Sequence, residues 1–106
     1  MKISVIIPTW NEALTIGSLV RFILIHGSDS IAEVIIVDGN SDDDTVARAK
    51  EAGALIVNCM ERCRAVQMNA GAKQATGEIL YFIHADVKLL TSFAGDVFKA
   101  MSEGYH

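Results

Sequence analysis

Three short polar segments stand where apolar runs stop, and they hold most of the chemistry this chain can offer. Pro8-Thr9-Trp10-Asn11-Glu12 follows the first run, Asp38-Gly39-Asn40-Ser41-Asp42-Asp43-Asp44-Thr45 the second, and His84-Ala85-Asp86 the fourth. A carboxylate such as Asp38, projecting from a strand end, can accept hydrogen bonds from a nucleobase N–H or from ribose hydroxyls. Asp86 can reach a hard divalent cation, which in turn bridges diphosphate oxygens. One protein carboxylate suffices there, because phosphate and water fill the other positions. His84 and Asp86 lie one residue apart and point the same way if the chain is extended. A fourth segment, Arg62-Cys63-Arg64-Ala65-Val66-Gln67-Met68-Asn69-Ala70-Gly71, offers Arg64 to pair with a phosphate or to orient a carboxylate.

Each segment also has a plainer reading. Asn11 can serve as a helix N-cap. Asp42, Asp43 and Asp44 suit a first helical turn, where the macrodipole favours carboxylates. His84 and Asp86 can be a solvated strand end, and Arg64 a solvated residue on a small-residue helix. Cys59 and Cys63 read as free thiols, since none of His26, His84 and His106 completes a zinc pattern with them.

The runs that position these residues alternate between strand and helix. Ile3 to Ile7 reads as a strand closed by Pro8, Glu33 to Asp38 as a second, Ala54 to Val57 as a third and Glu78 to Ile83 as a fourth. Being apolar at nearly every position, they suit parallel strands covered on both faces. Leu14, Ile16, Leu19, Val20 and Ile23 form a helical stripe somewhere within 11–25. Ser41 to Asp44 resembles a capping box for a helix that Gly53 ends. Arg64 to Gln74 and Ser92 to Ser102 are further helices, and Gly71 with its neighbouring alanines allows a helix to approach the sheet closely. Right-handed crossovers give a three-layer α/β/α, Rossmann-like fold with a mostly parallel sheet in the order 3-2-1-4. Ligands then bind beyond the carboxyl ends of the strands, where the order reverses between strands one and four.

With 106 residues the chain has the length of a single domain, and its net charge of −4 gives no basic field for nucleic acid or anionic lipid. No signal peptide is visible, and the apolar stretch from Leu19 to Ile25 is too short to span a bilayer. A reducing, cytoplasmic setting is therefore expected, with any membrane contact coming from segments outside this sequence.

Taken together and in order, the segments resemble the start of a family-two glycosyltransferase of the GT-A type. The resemblance rests on Pro8-Thr9-Trp10-Asn11-Glu12 as the Pro-x-x-Asn-Glu turn and on Asp38-Gly39-Asn40-Ser41-Asp42-Asp43 as the Asp-Gly-Gly-Ser-x-Asp turn. It continues through Arg64 to Gly71 as Arg-x-x-Gln-x-Asn-x-Gly, then Ala75-Thr76-Gly77-Glu78, then His84-Ala85-Asp86 in place of Asp-x-Asp. It implies a nucleotide-sugar pocket lined by Pro8, Thr9, Asn11, Glu12, Asp38 and Ser41, with Arg64, Asn69 and His84 near the donor. It further implies Mg²⁺ or Mn²⁺ on Asp86. His84 stands where the family has its first acid, and Cys63 where close relatives often have glycine.

The family's catalytic base and acceptor-binding segments come after the metal motif, and here only residues 87–106 follow it. The chain is accordingly expected to be the donor-binding portion of a partial GT-A fold, cut after the metal motif. It should bind a nucleotide sugar weakly or not at all, and transfer should fail. The apolar run at 79–83 should then form an uncovered sheet edge that associates with another copy. A receiver-like signalling domain with Asp38 as phosphoacceptor is the main rival, but it wants an acidic pair where Pro8-Thr9 stands. A dinucleotide-dependent oxidoreductase lacks its Gly-x-Gly-x-x-Gly after the first strand. A non-catalytic, self-associating fragment has the same ancestry as the first reading.

Overall fold

The computed structural model describes residues 1–103; Tyr105 and His106, and with them the third histidine, lie outside that range. Four parallel strands, β1 (Ile3–Thr9), β2 (Ile31–Asp38), β3 (Leu55–Asn58) and β4 (Ile79–Phe82), form one sheet in the order β3-β2-β1-β4. The helices are α1 (Ile16–Gly27), α2 (Thr45–Ala52), α3 (Arg64–Gln74) and α4 (Phe93–Ser102), with a short 3-10 turn at Ser28–Ser30. The expected three-layer α/β/α order is the one observed.

The two faces of the sheet are covered unequally. Ile3, Val5, Ile7, Val34, Ile36, Ile79 and Ile83 pack under α1, α2 and α4, meeting Ile16, Val20, Ile23, Ala49 and Phe93. The opposite face presents Ile6, Ile35 and Val37 to α3 alone. That approach depends on Gly71: a Cβ there would lie 2.5 Å from Ile6 Cγ2 and 2.8 Å from Val37 Cγ2. Only hydrogen fits in that gap.

Several boundaries differ from the sequence reading. β1 runs on through Pro8 to Thr9, which pair with Val37 and Asp38 of β2. Pro8 is tolerated because its missing N–H would face β4, whose pairing with β1 ends at Phe82 opposite Ile6. Leu14 is not part of the helical stripe: it precedes α1 and is 93% exposed. α1 is capped at Thr15, not at Asn11, which adopts a left-handed φ of 53°. The capping box is shifted as well. α2 starts at Thr45, and its first amide is held by Asp43, whose Oδ1 accepts from Thr45 N at 3.0 Å. Gly53 does close α2 in the left-handed conformation expected, at φ 112°.

Candidate functional site

The carboxyl ends of β1 and β2 are tied into one hydrogen-bonded unit around Asp38. Its side chain is buried, 3% exposed, yet it is fully partnered. Thr9 Oγ1 donates to Asp38 Oδ1 at 2.9 Å, Ser41 Oγ to the same oxygen at 2.6 Å, and Ser41 N to Oδ2 at 2.8 Å. Ser41 therefore braces Asp38, where the sequence reading made it a helix cap. The two loops are also stitched to each other. Asn11 N donates to Ser41 Oγ, Asp42 N to Asn11 Oδ1, and Glu12 N to Thr45 Oγ1, each at 2.8 Å. Both Asn11 and Asn40 sit at positive φ, a conformation that asparagine tolerates better than most residues.

On the α3 side, a cleft of about 360 Å³ is lined by Pro8, Thr9, Trp10, Glu12, Arg62, Arg64 and Gln67. Three of these residues were not picked out from sequence. Arg62 lays its guanidinium over the Trp10 ring, 3.8 Å from the centroid. Gln67 is buried and donates from Nε2 to Val37 O at 2.9 Å and Thr9 O at 3.2 Å, clamping the paired ends of β1 and β2 to α3. A glutamine one turn after Arg64, beside the small residue Gly71, was the available signal for that clamp.

The third segment is organised differently. β4 stops at Phe82, and Val87 N donates to His84 O at 3.2 Å, so the chain turns at Ala85-Asp86. The extended geometry expected for His84 and Asp86 does not hold there, because Ala85 is drawn into the core and bends the backbone. His84 and Asp86 are both exposed, and Asp86 borders a cavity of about 480 Å³ against Leu19 and Phe22 of α1. Asn69 stands apart: it is exposed on α3 and does not line the cleft.

Charge shows which loops share a space. The Glu12 carboxyl is pushed above its ordinary value, first by burial, then by the Asp86 and Asp43 carboxylates, with Arg64 pulling the other way. One group from the β1 loop thus feels the loops after β2 and β4 and the start of α3. Among the described residues no three His, Cys, Asp or Glu side chains form a metal cage. What is present is the exposed Asp86 carboxylate with the acid Glu12 in its field. That donor set fits Mg²⁺ or Mn²⁺ held by one or two carboxylates, with phosphate oxygens and water completing the shell.

Similarity to known proteins extends over most of the chain. The glucosyl-3-phosphoglycerate synthase of Mycobacterium tuberculosis (strain ATCC 25618 / H37Rv) is 32% identical over 93 residues, covering 80% of this chain and 29% of that protein. The dolichol-phosphate mannosyltransferase of Pyrococcus furiosus is 28% identical over 109 residues, or 98% of this chain and 31% of that one. This chain thus spans under a third of the length of the curated relatives it matches. The crystal structure of the M. tuberculosis synthase with Mn²⁺, UDP-glucose and phosphoglyceric acid superposes with a TM-score of 0.84 at 26% identity, covering 97% of this chain and 40% of that one. The mannosyl-3-phosphoglycerate synthase of Rubrobacter xylanophilus, at 22% identity and a TM-score of 0.85, covers 98% of this chain and 37% of its own, and shares the fold. No helix among the described residues is long and apolar enough to cross a membrane. The model of Glycosyl transferase family 2 matches residues 4–106, and this chain belongs to that family.

Proposed function

We propose that this chain is the donor-binding portion of an inverting, metal-dependent glycosyltransferase that uses a nucleoside diphosphate sugar, and that on its own it transfers no sugar. The observation that carries the reading is the fully partnered Thr9–Asp38–Ser41 unit at the carboxyl ends of β1 and β2, with Glu12 within the field of Asp86. Pro8, Thr9, Asn11, Glu12, Asp38 and Ser41 would hold the nucleoside, with Arg64 facing the phosphates across the cleft. Thr9 and Ser41 each direct a hydroxyl hydrogen at Asp38 and keep an oxygen lone pair for ribose or base N–H groups. The similarity to synthases solved with UDP and Mn²⁺ supports a uridine nucleotide as the first donor to test. A divalent cation on Asp86 would neutralise the departing diphosphate. The acceptor hydroxyl attacks the anomeric carbon directly and needs a base to take its proton; none of the residues assigned here fills that role. A reducing cytoplasm is the setting we assign, in keeping with the free thiols of Cys59 and Cys63.

The burial of Asp38 argues against the receiver-like alternative, because a phosphoacceptor must present a carboxylate oxygen to incoming phosphate. Both Asp38 oxygens already accept hydrogen bonds from Thr9 and Ser41, which leaves Oδ2 a lone pair for one more N–H or O–H donor but no exposed oxygen to attack phosphorus. Calorimetric titration with UDP, GDP and dTDP, with and without Mn²⁺, tests the reading. Weak binding of one diphosphate, strengthened about tenfold or more by Mn²⁺ and insensitive to Mn²⁺ in Asp86→Ala, supports it. Diphosphate binding that Mn²⁺ does not strengthen, or an equal Mn²⁺ response in Asp86→Ala, refutes it.

A further inference from the structure

The cleft beside α3 has one aromatic wall, and the chain itself occupies it. Trp10 is the sole aromatic side chain lining that cleft, so its ring is the face on which a planar ligand group would stack. Arg62 covers this ring, with its guanidinium carbon 3.8 Å from the centroid. A guanidinium is planar and weakly hydrated, and it stacks on an aromatic face much as a heterocycle does.

The path of Arg62 makes it a strap across the ends of β1 and β2. Its stem crosses Gly39, where a Cβ would lie 3.2 Å from Arg62 Cγ and 3.3 Å from Arg62 Cα. From there the side chain reaches Trp10 on the β1 loop. The segment that carries the strap is anchored at both ends. Cys59 N donates to Asp38 O at 2.8 Å, and Gln67 N donates to Cys63 O at 2.9 Å as α3 begins. Between these anchors Met60 is 83% exposed, and Glu61 and Arg62 are exposed with it. A cation–π contact at such an exposed site shifts an equilibrium by only about two- to fivefold, so a ligand can part it.

We propose, building on the donor-site reading above, that Arg62 is an internal competitor for the Trp10 ring. It shuts the cleft in the free chain, and the nucleobase of the donor takes its place. Arg64 lines the same cleft and remains to face the phosphates. Were Arg62 a phosphate ligand instead, its replacement would weaken binding rather than tighten it.

Trp10 is the only tryptophan of the chain and reports on its own ring. Without ligand, Arg62→Ala should make its fluorescence more open to quenching by acrylamide, with circular dichroism unchanged. Arg62→Lys keeps the charge and gives up the planar stack. NMR titration with UDP and Mg²⁺, followed at the indole N–H and the amides of residues 38–41, should show this variant binding about twofold or more tighter than the parent chain. In a Trp10→Ala background the same substitution should leave the affinity unchanged, because the ring it frees is gone. Equal quenching in Arg62→Ala, or UDP binding in Arg62→Lys that is absent, equal to the parent's or weaker, would each overturn the proposal. Failure of the donor-site reading shows separately, as UDP binding that Mg²⁺ strengthens in none of these chains.

Discussion

The two lips of the crevice are built on opposite principles. On the β1–β2 side, Asp38 accepts three hydrogen bonds, Asn11 and Ser41 cross-brace their loops, and Gln67 clamps both strand ends from α3. On the β4 side, residues 84–90 form a turn and an irregular stretch. Val87 and Leu89 border cavities of about 480 Å³ on one side and 410 Å³ on the other. The first lip has its ordering entropy settled at folding and presents fixed acceptors. The second holds Asp86 exposed in a turn that the single backbone bond from Val87 N to His84 O closes.

The sharpest way to break this contrast is to soften the rigid lip. Asp38→Ala leaves the Thr9 and Ser41 donors without their buried acceptor and should destabilise the chain by about 3 kcal/mol, read by urea unfolding, with UDP binding lost. Next comes the support beneath it. Gly71→Ala drives a methyl into Ile6 and Val37 and should cost about 2 kcal/mol by the same measurement. On the soft lip the same kind of change should leave stability within about 0.5 kcal/mol, since Asp86 is exposed in a turn. Asp86→Ala should instead remove the Mn²⁺ enhancement of UDP affinity, a change of about tenfold, or 1.4 kcal/mol.

The smallest effect tests the link between the lips. Because its pKa is raised in the folded chain, Glu12 holds its proton more tightly folded than unfolded. It therefore costs stability above its folded pKa, and the cost vanishes as pH falls through the window between the folded and unfolded values. Glu12→Gln should gain a few tenths of a kcal/mol at neutral pH, after solvent screening, and nothing in acid. Thermal melts at both pH values check this. Mn²⁺ should reduce the gain, since a cation in that field favours ionised Glu12.

Much of the rigid lip was legible from sequence because its determinants are local. Apolar runs broken by Pro8-Thr9 and Asp38-Gly39 mark strand ends, and right-handed crossovers then leave few strand orders. The bounds of α3 were read directly, because Ala75-Thr76-Gly77 breaks the helical run that begins at Arg64, although the face it buries is that of Gln67 and Gly71. What sequence missed depends on contacts across the crevice. Ser41 reads as a helix cap until Asp38, three residues back, is seen to claim its hydroxyl. The Arg62–Trp10 stack joins two loops far apart in the chain. The turn at Ala85-Asp86 arises because the core takes Ala85, and no local residue announces it.

In the proposed complex both lips face one ligand. Backbone amide NMR of the chain titrated with UDP and Mg²⁺ tests this most directly. Shifts should move together, with one dissociation constant, at residues 9–12, 38–41 and 84–87. Shifts at 38–41 with residues 84–87 unmoved at saturating UDP and Mg²⁺ would contradict it.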